Sequence, residues 1–146
     1  MMKNIIDLHM HSLYSDDGEY TPGELMTLCK DAGLKFAALA DHNSVKGVEE
    51  AIKEGEKLGI KVIPAIEIDC IYNDVNLHVL GYYIDPKFPR FYELEEDILR
   101  QEQTASPKRV ELIEKSGIYV TPEKIKKLSK DGIITGEMIA EAALYE

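Results

Sequence analysis

Four histidines and several carboxylates between His9 and His78 are side chains of the kind that bind metal ions. His9 and His11 have one residue between them in the run IDLHMHSLYSDDG, at the exit of a strand-like segment. In an extended backbone, residues i and i+2 point to the same side, so these two imidazoles can face one ion. The remaining candidates also follow or lie within strand-like segments, and they are Asp16, Asp17, His42, Glu67 and His78.

Each of these residues has a simpler structural explanation when it is considered alone. A single histidine inside an apolar strand, such as His78, is more often a hydrogen-bonded structural residue than a ligand. The segment Asp16–Gly18 has the composition of an ordinary turn, and Asp41 and Asn43 could cap the helix that follows them. The metal interpretation is favoured because every histidine of the chain, together with a glutamate, falls at successive strand ends.

The elements that must position these side chains alternate between strand and helix. A buried strand over Lys3–Leu8 precedes a helix that opens with the capping box Thr21-Pro22-Gly23-Glu24 and stops at Gly33. The runs KFAALA and IKVIPAIEI predict two further strands, and the amphipathic helix between them stops at Gly59. Such alternation predicts parallel strands in an α/β sheet or barrel, with one face at which the strand exits meet.

Beyond Ile68 the pattern changes to a hairpin and then to helices. The runs IDCIY and NLHVLGYYI flank Asn73-Asp74, which favours a tight return between antiparallel strands. The helices that follow are predicted at Phe91–Lys115, at Thr121–Lys130 and from Thr135 onward. The pattern therefore divides the chain into an α/β part over residues 1–85 and a helical tail over residues 86–146, although the length alone suits one domain.

Composition and charge limit the class of protein. The 146 residues are 45% hydrophobic and 30% charged, a balance typical of globular proteins. The formal charge of -10 repels polyanions at long range, which argues against a broad nucleic-acid surface. No apolar run is long enough for a membrane span or a secretory signal, so a cytoplasmic location is expected. Cys29 and Cys70 lack ligand-like spacing, and we expect them to be packing residues without a disulfide.

The candidate ligand set combines imidazole nitrogens with carboxylate oxygens, which suits zinc, manganese or iron. Two such ions about 3.5–4 Å apart can share a hydroxide and stabilise both the entering and the leaving oxygens of a displacement at an ester. A carboxylate that bridges the ions holds them close together, and Glu67 is the candidate bridge.

At these residues the sequence resembles a known family. The runs DLHMHSLYSDDG, LADHN, PAIEI and LHVLGY occur in this order between about Ile5 and Tyr83. They resemble the first motifs of the PHP (polymerase and histidinol phosphatase) superfamily, especially its stand-alone metal-dependent phosphoesterases. The resemblance implies a partial, distorted (β/α)7 barrel over residues 1–85, followed by a helical insertion subdomain over residues 86–146. It also implies up to three divalent ions in an intact family member.

The resemblance further implies a role for each candidate residue. His9 and His11 would hold one ion, Glu67 would bridge it to a second ion bound by His78, and His42 would share a third with an aspartate. Alignment on the following glycine favours Asp17, whereas alignment from the histidines favours Asp16. Arg109 matches an arginine that related enzymes direct to the substrate phosphate, although a solvated helix charge explains it equally well.

The function implied is hydrolysis of a small phosphomonoester or nucleotide-like phosphoester through a metal-bound hydroxide. The alternatives are a metal-dependent amidohydrolase and a non-catalytic metal-binding or interaction module. Family members of this type continue beyond these motifs, with a histidine in an Ala-His-Pro context and a late Asp-x-His pair, and neither occurs here. We therefore expect the N-terminal half of such a protein, with an incomplete ligand set, weak turnover and an open sheet edge that favours a homo-oligomer.

Overall fold

The computed structural model describes residues 5–118, 121–129 and 133–144, and the chain divides into two packed units, Met1–Glu95 and Glu96–Glu146. The division expected after residue 85 stays a prediction. The elements in chain order are β1 (Ile6–Met10), α1 (Pro22–Ala32), β2 (Phe36–Leu39), α2 (Val48–Leu58), β3 (Lys61–Tyr72), β4 (Val75–Tyr82), α3 (Pro89–Lys115), α4 (Pro122–Leu128) and α5 (Gly136–Leu144).

The first unit contains a four-stranded mixed sheet in the order β1-β2-β3-β4. The strands β1, β2 and β3 are parallel, with α1 and α2 as their connections, while β4 runs antiparallel to β3. The sheet is curled, so that its two edge strands approach each other. Tyr82 Oη on β4 donates to the carbonyl oxygen of Leu8 on β1 at 3.0 Å. The predicted α/β class and partial barrel are confirmed.

The two crossover helices begin in different ways. In α1, Thr21 accepts from the backbone of Glu24 and the Glu24 side chain accepts from the backbone of Thr21, so the predicted capping box is present. This bonding also holds the pKa of Glu24 below its usual range. In α2 the capping residue is Gly47, which has no side-chain cap, and a β-carbon there would lie 2.8 Å from Leu39 Cδ2. The start of α2 is therefore set by close packing on β2.

The core of the first unit lies where the sheet meets α1 and α2. The buried residues of this cluster are Met26, Cys29, Ala37, Leu39, Ala51 and Ile60. Cys29 is a packing residue as predicted, but the same prediction is wrong for Cys70, which is exposed. It is exposed because the outer part of the β3–β4 hairpin projects into solvent, where Ile71 is 73% exposed. Both cysteines of this chain, which lie within the described ranges, are free thiols.

The β3–β4 hairpin closes with a two-residue turn. Asn73 and Asp74 both have positive φ angles, 49° and 61°, as a type I′ turn requires. The turn pairs Tyr72 with Val75 and sets a register in which Asp69 lies opposite His78. The predicted tight return is confirmed although the sequence lacks the common Asn-Gly pair.

The second unit is helical in its described part. Within α3, Ser106 Oγ donates to the carbonyl oxygen of Glu102 at 2.8 Å and accepts from the backbone of Ile134 at 2.8 Å. The predicted helix bounds agree closely with α3, α4 and α5, although Lys130, like Lys3 at the first strand, lies outside the described residues. None of the described helices is both long and apolar enough to cross a membrane.

Candidate metal centre

The loop after β1 folds back on itself and carries three of the candidate ligands, His11, Asp16 and Asp17. Its ends are joined by the backbone N–H of Leu13, which donates to the carbonyl oxygen of Tyr20 at 2.8 Å. Gly18 lies so close to the backbone of Ser12 that a β-carbon there would overlap its carbonyl oxygen. Glycine is therefore required at this position. The fold-back brings the Asp17 carboxylate to 2.8 Å from His11 Nδ1.

Asp41 fastens this loop to the exit of β2. Its carboxylate is fully buried and accepts from Ser12 N at 2.5 Å, from Ser12 Oγ at 2.8 Å and from Ser15 Oγ at 3.3 Å. Ser15 Oγ in turn accepts from the backbone N–H of His42 at 2.8 Å. Burial raises the pKa of Asp41 despite these hydrogen bonds. Asp41 thus anchors the loop, and the alternative that it caps α2 is wrong.

Three donor atoms, from the end of β1 and from the middle of β3, form a nearly equilateral triangle. The expectation that Glu67 ends its strand is wrong, because β3 continues to Tyr72 as one arm of the hairpin. His9 Nε2 lies 2.8 Å from Glu67 Oε2, His11 Nε2 lies 2.9 Å from the same oxygen, and the two Nε2 atoms are 3.0 Å apart. Ligands that share one ion at the usual distances of about 2.0–2.2 Å are separated by roughly 3.0–3.5 Å. The triangle is therefore close to the size that one ion requires.

The second oxygen of Glu67 faces another histidine. Glu67 Oε1 lies 2.9 Å from His78 Nδ1, so one carboxylate contacts histidines on two sides. The Glu67 residue is 2% exposed. Burial opposes its ionisation most strongly, but the His9 hydrogen bond and the charges of His42, His9 and His11 hold the pKa of Glu67 below its usual range.

A second donor group joins the loop after β1 to the exit of β2. His11, Asp17 and His42 each contribute an atom within 4.8 Å of the others, and His42 Nε2 lies 3.9 Å from Asp17 Oδ2. His42 reaches this position because it extends the parallel pairing beyond β2, opposite Glu67. Of the two aspartates that the sequence left open, Asp17 belongs to this group, whereas Asp16 belongs to none of the groups found among the described residues.

Asp69 forms a third group with His42 and His78, and sequence reasoning missed it. Its Oδ1 lies 2.9 Å from His42 Nδ1, and this hydrogen bond is the main reason that the pKa of His42 rises to about 9. Burial opposes ionisation of Asp69, yet its bonds to His42 and Asn43 hold its pKa below the usual range. The alternation of side chains in a strand could have revealed it, because Asp69 is two residues beyond Glu67 on the same face.

The comparison with known proteins agrees with this arrangement. Residues 7–132 match the family model described as PHP domain. The chain belongs to the PHP domain family. The predicted family is therefore confirmed. The donor groups of this PHP domain contain four histidines and three carboxylates, which come from β1, β3, β4 and the loops after β1 and β2.

Curated relatives of this PHP domain include nucleases and phosphatases. A 5′-3′ exoribonuclease from Haemophilus influenzae is 32% identical over 133 residues, which are 88% of this chain and 46% of the relative. A 3′,5′-nucleoside bisphosphate phosphatase from Chromobacterium violaceum is 33% identical over 84 residues, which are 58% of this chain and 29% of that protein.

The fold of this PHP domain also occurs in solved structures. The structure of an amidohydrolase from Chromobacterium violaceum, with bound sulfate and no metal, superposes with a TM-score of 0.84 at 24% identity. The match covers 97% of this chain and 50% of that one. This likeness shows the fold, and the PHP chain spans about half the length of the exoribonuclease and of the amidohydrolase.

Arg109 is the one predicted site residue that lies in the second unit of this PHP chain. Its guanidinium donates to both carboxylate oxygens of Glu102, one of them at 3.1 Å, and to the carbonyl oxygen of Ile134 at 3.2 Å. These bonds tie α3 to the segment before α5. A role for Arg109 toward a substrate phosphate stays a prediction.

Proposed function

We propose that this PHP chain supplies part of the metal centre of a phosphoesterase. The observation that carries the proposal is the buried carboxylate of Glu67, which turns one oxygen to His9 and His11 and the other to His78. The ligands of this proposed centre are His9, His11, Asp17 (with Asp16 as the alternative), His42, Glu67 and His78.

The donor chemistry fits divalent transition metals. Imidazole and carboxylate donors suit zinc, manganese or iron, and no thiol of the described residues belongs to the three donor groups. A carboxylate as deeply buried as that of Glu67 is costly unless positive charge faces it. Two divalent ions, one on each side of Glu67, would supply that charge, which supports its role as a bridge.

The chain's own residues hold the donors in place. When bound, the ions polarise the phosphoester and activate water for attack on phosphorus. Glu67 lies between the two histidine sets, and the Asp41 hydrogen bonds fix the loop that carries His11 and Asp17. Fixed donors need no rearrangement when substrate arrives, which is how preorganised sites lower a barrier.

The substrate class that we propose is a small phosphomonoester or a nucleotide-like phosphoester, in a cytoplasmic protein. The relatives support it, because both an exoribonuclease and a nucleoside bisphosphate phosphatase are similar to this chain. We also propose Arg109 as a phosphate ligand, since guanidinium binds phosphate oxygens in pairs. Because the chain spans about half of the exoribonuclease, we infer that a further segment or a second copy completes the ligand set.

Metal content and hydrolysis, measured together, test this proposal. Protein purified without added metal is analysed for zinc, manganese and iron, then assayed with 4-nitrophenyl phosphate, a nucleoside 3′,5′-bisphosphate and 4-nitrophenyl acetate. Glu67→Gln should lower the metal content by more than His78→Gln, because it removes a bridge and not a terminal ligand. The matched control is Glu56→Gln, since Glu56 is exposed on α2.

Several outcomes would contradict the proposal. Unchanged metal content in Glu67→Gln would remove Glu67 from the ligand set. Metal-dependent turnover of the acetate ester alone would favour another ester or amide hydrolase, and stoichiometric metal without turnover, even after the complementary segment is supplied, would favour a binding module. Light scattering tests the proposed homo-oligomer.

A further inference from the structure

Asp69 lies beside the proposed centre and faces the outer sides of two of its histidines. We propose that Asp69 is a positioning residue that fixes the orientation of His42 for metal binding, and that Asn43 fixes Asp69. This inference rests on the proposed function, since it assumes that His42 is a ligand.

The two ring nitrogens of His42 face different groups. Nδ1 lies 2.9 Å from Asp69 Oδ1, whereas Nε2 lies 3.6 Å from Glu67 Oε2. An imidazole that donates from one nitrogen keeps its proton there and leaves the lone pair of the other nitrogen for an ion. Asp69 therefore selects Nε2 as the nitrogen that His42 presents to the centre.

His78 uses its ring nitrogens in the opposite sense but faces the same two carboxylates. Its Nδ1 lies 2.9 Å from Glu67 Oε1, and its Nε2 lies 3.6 Å from Asp69 Oδ1. Asp69 and His78 are directly paired residues of the β3–β4 ladder, so the hairpin itself keeps them adjacent. One oxygen of Asp69 thus faces the outward nitrogen of both histidines.

Asn43 holds the carboxylate of Asp69 in this orientation. The Asn43 amide nitrogen donates to Asp69 Oδ2 at 2.8 Å, and the backbone N–H of Asp69 donates to Asn43 Oδ1 at 3.0 Å. Asn43 has a left-handed φ of 55°, a conformation that asparagine tolerates better than most residues. Its own N–H donates to the carbonyl oxygen of Glu67 at 2.7 Å. Asn43 therefore connects the segment after β2 to β3 through three hydrogen bonds. The alternative that Asn43 caps α2 is wrong, because the capping residue is Gly47.

The Asp69→Asn variant tests positioning against direct ligation. An amide at this position must either turn its NH₂ toward the NH₂ of Asn43 or donate to His42 Nδ1, and either choice disturbs the present bonds. Zinc affinity is measured by competition with a chromophoric chelator, and stoichiometry at saturating zinc. The exposed Asp31→Asn is the control.

If Asp69 is a positioning residue, Asp69→Asn should bind as many zinc ions as the wild type at saturation, with an affinity about 10- to 100-fold weaker. This loss is typical when the carboxylate behind a ligating histidine is removed. Long-range ¹H–¹⁵N spectra of the zinc-loaded wild type should show His42 coordinated through Nε2 with its proton on Nδ1. Loss of one zinc at saturation, coordination through Nδ1 or an affinity equal to that of the wild type would overturn the inference.

A metal-free measurement separates failure of this inference from failure of the proposed function. Thermal unfolding in the presence of chelator is measured for Asp69→Asn, Asn43→Ala and the double variant. This double-mutant cycle gives the free energy of interaction between residues 43 and 69 in the absence of any ion. A wild type that binds no zinc contradicts the proposed function. If the two substitutions have additive effects, Asn43 does not hold Asp69 in place, and this conclusion does not depend on the zinc affinities.

Discussion

Replacing Asp41 by alanine should strongly destabilise the first unit, because its carboxylate is the buried acceptor that holds the loop after β1. It accepts three hydrogen bonds, at 2.5 Å and 2.8 Å from Ser12 and at 3.3 Å from Ser15. Each hydrogen bond to a charged group contributes about 1.5–3 kcal/mol, and the cost of burying the charge offsets part of the sum. Stranding three buried donors beside a new cavity should lower the free energy of unfolding by about 3–5 kcal/mol.

Replacement by asparagine should cost much less. Burial raises the pKa of Asp41, so a neutral group of the same shape escapes the largest unfavourable contribution at this position. The amide oxygen can accept from the backbone of Ser12, and the hydroxyl of Ser12 can rotate to accept from the amide nitrogen. We expect Asp41→Asn to lower the free energy of unfolding by about 1–2 kcal/mol.

Urea unfolding followed by circular dichroism, in the presence of chelator, measures both changes, with the exposed Asp31→Ala as the control. For a chain of this size, the alanine variant should also melt roughly 10–15 °C lower than the wild type. Equal losses in the alanine and asparagine variants, or a loss below about 1 kcal/mol in Asp41→Ala, would refute the hydrogen-bond argument.

Three further predictions concern the loop, the hairpin and pH. Gly18→Ala should weaken zinc binding in a competition titration, because its methyl group would overlap the backbone of Ser12; unchanged affinity would contradict the fold-back. Asp74→Gly should raise the free energy of unfolding in urea by about 0.5–1 kcal/mol, since the φ of Asp74 is 61°, and a lower midpoint would argue against the type I′ turn. Asp69 raises the pKa of His42 to about 9 in the folded protein. In chelator, the stabilisation from His42 should therefore be complete below pH 6.5 and disappear as pH rises through about 9. Melting temperatures measured across this range should fall with pH in the wild type, and this pH dependence should be lost in Asp69→Asn.

The sequence was sufficient for the parallel part of the fold because local signals agreed with one another. The capping box of α1, the apolar strands and the helix stops at Gly33 and Gly59 left few alternatives, and both glycines have the left-handed φ expected of a helix end. The element ends were predicted less well, since β1 continues to Met10 whereas the sequence predicts its end at Leu8. The convergence of His9, His11 and His42 followed from the rule that parallel strand exits share one face. His78 reaches them in a different way, from inside β4, which pairs antiparallel with β3.

The parts of the site that local pattern could not supply depend on contacts between loops. Asp41 is a candidate helix cap in the sequence, but α2 begins only after Gly47, and the approach of the β1 loop brings Ser12 to the Asp41 carboxylate instead. The choice between the two adjacent aspartates likewise depends on how the loop closes over Gly18. Asp69 differs from these residues, because local pattern is sufficient to indicate it: it lies two residues beyond Glu67 on the same face of β3.

The type I′ turn at Asn73-Asp74 contributes no atom to the donor groups, yet it decides which residue of β4 enters them. The turn sets the ladder in which His78 lies opposite Asp69, four residues from the turn and roughly 13 Å along the strand. Because side chains alternate, a turn longer or shorter by one residue would present Leu77 or Val79 in place of His78. Insertions or deletions at this exposed tip are therefore compatible with the metal centre only if they leave His78 opposite Asp69, as an added pair of residues that lengthens both strands equally would. The length of the hairpin turn thus determines which side chain of β4 reaches the site.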